Sequence, residues 1–72
     1  MCLLKAYLEE DNVSRIIASE VAFIYAEDWG FRLKIIDRKE EVTLKNVSLS
    51  RVDALNSTIT FSARETVKNR SR

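Results

Sequence analysis

Cysteine occurs once in this chain, at position 2, and histidine does not occur at all. A thiolate is a soft metal ligand, and a chain end brings backbone nitrogen donors close to it. If Met1 is removed, the Cys2 amine and thiolate close a five-membered chelate. If Met1 stays, its amine and the Cys2 amide nitrogen lie within reach of a metal on the sulfur. Either way one chain offers mixed nitrogen and sulfur donors, and two chains meeting at their termini offer four or more. That set suits square-planar or tetragonal Ni(II) or Cu(II) better than structural zinc. The donors lose protons on binding, so affinity falls as pH falls. The competing reading makes Cys2 a small buried hydrophobe, packed inward with Leu4 and Ala6.

Most other site chemistry is missing. Without histidine the commonest general base, the commonest metal ligand and every histidine-dependent triad are gone. One glycine cannot build a glycine-rich phosphate loop. The acidic groups Glu9-Glu10-Asp11, Glu27-Asp28 and Glu40-Glu41 fall in predicted turns, where solvated carboxylates are the default. None has the spaced oxygen ligands of a calcium loop. The expectation is a protein that is not an enzyme.

Seventy-two residues predict one domain near the lower size limit for independent folding. Apolar residues are 46% of the chain, enough for a thin core. A chain this small usually needs a disulfide, a metal or a partner chain, and one cysteine closes no internal disulfide. A homodimer is the natural support, with a metal shared between chains as an addition. The opening apolar run is short, broken by Lys5 and ended by three acids, so neither a signal peptide nor a membrane span is expected. A single unpaired cysteine fits a reducing, cytoplasmic compartment.

The net charge of +1 is unevenly spread. Residues 1–63 hold eight Lys/Arg against ten Asp/Glu, whereas residues 64–72 hold four against one. The expected organisation is a β domain over 1–63 and a basic, flexible tail over 64–72.

Alternation with a period of two runs through the domain. Cys2, Leu4, Ala6 and Leu8 share one strand face, and Leu3, Lys5 and Tyr7 the other. Phe31, Leu33 and Ile35 alternate with Arg32 and Lys34, Val42 and Leu44 with Thr43 and Lys45, and Ile59 and Phe61 with the hydroxyls around them. Val47 and Leu49 alternate with Ser48 and Ser50. Gly30 can close the hairpin at 27–30, and 37–41 and 55–57 are polar breaks. The stretch 14–29 reads two ways. Ile17, Val21, Ile24 and Tyr25 sit at helical spacing, but the β-branched and aromatic density favours two short strands broken near Ser19-Glu20. The predicted fold is all-β, a small barrel-like (SH3-like) antiparallel domain of about six or seven strands.

The opening Met1-Cys2 followed at once by a strand with Lys5, the length, and the late stretch SLSRVDALNSTITF together resemble the CooT family of small nickel-binding proteins. Members of that family have also been grouped under a predicted RNA-binding label. The similarity covers residues 1–62, and its sharpest features are Met1-Cys2 and Arg51-Val52-Asp53. The resemblance implies a small β-rich homodimer that binds Ni(II) at the dimer interface through the second-position cysteine. It further implies a nickel-binding accessory protein or metallochaperone, serving a nickel enzyme such as carbon monoxide dehydrogenase. Only Cys2 carries over as a ligand, with the Met1 amine and neighbouring backbone nitrogens as candidate co-ligands.

Three other features bear on function. Trp29 at the hairpin tip either folds back over the end of the barrel or anchors a partner. Arg51 and Asp53 flank Val52 and so share a face, free to pair with each other at little gain in stability. An RNA-binding module is the alternative function, using the basic tail together with Arg32, Lys34, Lys5 and Tyr7. The acidic balance of residues 1–63 gives phosphate little long-range attraction.

Overall fold

The computed structural model describes residues 3–63. They form six strands: β1 (Leu4–Glu10), β2 (Val13–Glu27), β3 (Gly30–Ile35), β4 (Glu41–Lys45), β5 (Val47–Asp53) and β6 (Thr58–Ala63). The described residues contain no helix, and hence none long and apolar enough to cross a membrane. All six strands belong to one sheet in the order β4-β3-β2-β1-β6-β5.

Local chemistry sets the first two turns. Asp11 and Asn12 both take positive φ, 54° and 65°, which short polar side chains tolerate and which a two-residue hairpin loop requires. At the next hairpin Gly30 has φ 150°, and a Cβ there would collide with the Leu44 carbonyl oxygen on β4. Only glycine lets β4 lie that close.

The fifth strand arrives differently. β4 and β5 sit at opposite ends of the sheet, yet Asn46 alone separates them. Asn46 takes φ 59°, and its N–H donates to the Trp29 carbonyl (3.0 Å). One residue leaves no room for a hairpin reversal, so it acts as a corner and β5 continues in the sense of β4. The β5–β6 hairpin then brings β6 back in the same direction as β1. The β1–β6 pairing is accordingly parallel, against four antiparallel pairings elsewhere. The sheet is therefore mixed, and the wholly antiparallel expectation is corrected by this corner. Among the described residues no ladder joins β4 to β5, so the sheet does not close.

The expected break near Ser19-Glu20 is also corrected. β2 is one strand of 15 residues, bent rather than interrupted. Its register shifts between Ala18 and Val21, again between Ile16 and Ala18, and again between Val21 and Phe23. Glu20 lies at the bend with φ 58°. Bulges twist and bend a strand locally, so β2 pairs with β1 through its first part and with β3 through its second.

Curling places the apolar face inside. Ala6, Leu8, Ala18, Val21, Leu33, Val47, Ile59 and Phe61 are buried there. Phe31 on β3 meets Phe61 on β6 with ring centroids 4.9 Å apart, although those strands are three places apart in the sheet. That contact spans the interior and holds the two halves of the sheet over one core.

Candidate functional site

Met1 and Cys2, the metal ligands expected from the sequence, lie outside the described residues, as does the basic tail 64–72. The chain they precede enters the middle of the sheet. Leu4 pairs with Val21 on β2, and the Lys5 N–H donates to the Ser57 carbonyl at 3.0 Å. β1 is flanked by β2 and β6 on its two sides. Among the described residues no three His, Cys, Asp or Glu side chains gather in a way that would hold a metal ion.

The outer face of the sheet carries two separate groupings. The first spans β2, β3 and β4. Tyr25 pairs with Arg32, which pairs with Thr43, so all three side chains stand on one face. The Arg32 guanidinium donates to one Glu27 carboxylate oxygen from Nε (3.1 Å) and Nη2 (2.9 Å), and to Glu41 from Nη1 (3.1 Å). Its central carbon lies 4.3 Å from the Tyr25 ring centroid. The Glu27 hydrogen bond leads the effects that raise the Arg32 pKa, keeping it firmly charged. Phe23 stacks beside Tyr25 at 6.2 Å and pairs across the ladder with Lys34. Two of the acidic groups noted in the sequence thus serve, in part, to neutralise this arginine.

The second grouping spans β1, β6 and β5. Tyr7 pairs with Thr60, and Thr60 with Arg51; Lys5 pairs with Thr58, and Thr58 with Asp53. Short hydroxyl side chains on β6 therefore lie between longer ones on its two neighbours. The result is an open depression of about 250 Å³, with Tyr7 and Arg51 as walls and Thr58 and Thr60 beneath. Ser14 and Asn56 complete its rim.

A bulge puts Arg51 there. Leu49 opposes Phe61 and Arg51 opposes Thr60, so Ser50 is an extra residue in β5. In unbroken register Ser50 would oppose Thr60, and Arg51 would oppose the core residue Ile59. Arg51 and Asp53 share a face as their spacing implies, but no salt bridge joins them. Asp53 instead accepts hydrogen bonds from the Asn56 N–H (3.2 Å) and side-chain amide (2.9 Å). These bonds lower its pKa below the usual 3.8, so the carboxylate is ionised at neutral pH.

Trp29 is 40% exposed at its hairpin tip. The Phe23–Tyr25–Arg32 arrangement was not anticipated from the sequence, because the bulges in β2 decide which of its residues face outward. Compared with models of known protein families and with curated proteins, the chain matches none.

Proposed function

We propose that the protein is a nickel-binding accessory protein or metallochaperone that carries Ni(II) as cargo. The reading takes the Cys2 thiolate, the Met1 amine and adjacent backbone nitrogens as ligands at a homodimer interface, with delivery to a nickel enzyme such as carbon monoxide dehydrogenase. The observation that carries it is the single cysteine beside the amino terminus in a chain without histidine. A donor set of one thiolate and backbone nitrogens per chain favours planar Ni(II) over tetrahedral zinc. The CooT-like pattern points the same way. Support for a dimer comes from the small core, and from half-exposed Leu49 and Val52 on β5, a strand whose outer edge is unpaired among the described residues. The one-residue corner at Asn46 supports the barrel-like description, with closure left incomplete between β4 and β5.

Titration of untagged, reduced protein with Ni(II) tests this directly. The expected outcome is sulfur-to-nickel charge-transfer absorption that saturates at one metal per two chains, seen also by native mass spectrometry. Cys2→Ser should abolish those bands while leaving the far-ultraviolet circular dichroism unchanged. Undiminished nickel binding in that variant would remove Cys2 from the site.

A second reading is an RNA-binding module, favoured by the outer face where Phe23, Tyr25, Arg32 and Lys34 come together. Aromatic rings on a sheet surface can stack on unpaired bases. Glu27 and Glu41 count against it, since they already neutralise Arg32. On this reading, affinity for single-stranded RNA drops steeply with salt and weakens when residues 64–72 are deleted or Tyr25 is replaced by Ala. No binding at low salt would end it.

A further inference from the structure

We infer that the depression between Tyr7 and Arg51 is a binding site for a small organic oxyanion, a phosphate ester or a carboxylate. It is distinct from the residues of the nickel reading and stands without them. Three features of the structure meet here.

The first is the cation. Of the two arginines on the described outer face, Arg32 is consumed by Glu27 and Glu41, whereas Arg51 forms no salt bridge among the described residues. A guanidinium presents paired donors that match two oxygens of a carboxylate or phosphate. The bulge at Ser50 holds Arg51 over the depression instead of over the core.

The second is the floor. Thr58 and Thr60 present hydroxyls, which rotate to donate to an anion; Thr60 is only 5% exposed, so a ligand there is partly removed from water. Tyr7, directly across Thr60 from Arg51, offers a ring face and a further hydroxyl. A group with an anionic end at Arg51 and a flat apolar body against Tyr7 fits the geometry. At about 250 Å³ the depression has room for a metabolite-sized group.

The third is the restrained acid. Asp53 lines the same depression, but both its carboxylate oxygens already accept from Asn56. It opposes an anion through charge while fixing the turn that ends β5. Removing only its charge is therefore predicted to tighten binding, the reverse of removing Arg51.

The test is a heteronuclear NMR titration of the full, untagged chain with inorganic phosphate, phenyl phosphate and benzoate. Saturable shifts are expected at the Arg51, Thr58 and Thr60 amides, with dissociation constants in the millimolar range, on the order of 1 mM for the best probe. Phenyl phosphate binding tighter than benzoate marks a phosphate ester as the ligand, and the reverse order marks a carboxylate. Either aromatic probe should bind more tightly than inorganic phosphate, because only the former use Tyr7. Arg51→Ala should weaken binding about tenfold or more, Arg51→Lys should weaken it less, and Asp53→Asn should strengthen it. Shifts that fail to saturate, that spread over all basic residues, or that persist unchanged in Arg51→Ala would overturn the assignment.

Discussion

Arg32 and Arg51 stand on the outer face of one sheet and do opposite things. Arg32 has an aromatic ring beneath it and a carboxylate on either side, so each of its three nitrogens donates to a carboxylate of the chain itself. Arg51 has a threonine across the ladder, and the nearest carboxylate on its own strand is held by Asn56. Residue type and face are the same in both cases. The neighbours supplied by the adjoining strands make one arginine a strut and leave the other available to a ligand.

The harshest way to break the first grouping is to remove the turn beneath it. Gly30→Ala places a side chain against the Leu44 carbonyl at a positive φ, which should cost about 3 kcal/mol. In a domain whose total stability is on the order of 5–10 kcal/mol, that loss is plain in a urea denaturation curve. An unchanged midpoint would mean that β4 does not pack against Gly30 as described.

A sharper comparison uses the two arginines in parallel. Arg32→Ala should lower the denaturation midpoint by less than Gly30→Ala does, because the pairs are partly exposed and screened by solvent. Added salt should shrink the difference from the parent chain. Arg51→Ala should leave the midpoint where it was. Equal losses from the two would erase the distinction between strut and ligand-binding residue.

The smallest loss of stability belongs to Asp53. Its pKa in the folded chain is lowered, chiefly by the Asn56 side-chain hydrogen bond, so its contribution is present above the ordinary value of 3.8 and fades as pH falls through the lowered folded value. Asp53→Ala should therefore melt slightly below the parent at neutral pH and converge with it in acid. A gap that persists at a pH of about 2 would place the effect in turn packing rather than in the ionised carboxylate.

Much of the strand pattern is legible in the residues. The alternation in 4–8, 31–35 and 58–62 corresponds to β1, β3 and β6, and the hairpin expected at Gly30 is present. The ambiguous stretch 14–29 is instructive. Buried Ala18 and Val21 and half-buried Ile24 are spaced by three, which resembles a helix. The cause is a strand with bulges, each of which slips the inward phase by one residue. The same slip separates Leu49 from Val52 at the Ser50 bulge, and Leu44 from Val47 at the Asn46 corner. Such slips are visible in a sequence once bulges are considered, but their spacing alone does not tell a bulge from a helical turn.

Residue chemistry by itself determined the strand character of the chain, the turns at Asp11-Asn12 and Gly30, and the candidate metal ligand Cys2, because each depends on local stereochemistry or on one side chain's donors. Tertiary structure alone decided that β6 lies parallel to β1, that Arg32 is neutralised, and that Tyr7, Thr60 and Arg51 form a single row. Those outcomes depend on which strands become neighbours. That was set by a one-residue corner at Asn46 and by burial of Phe31 against Phe61, interactions between segments that no local pattern links.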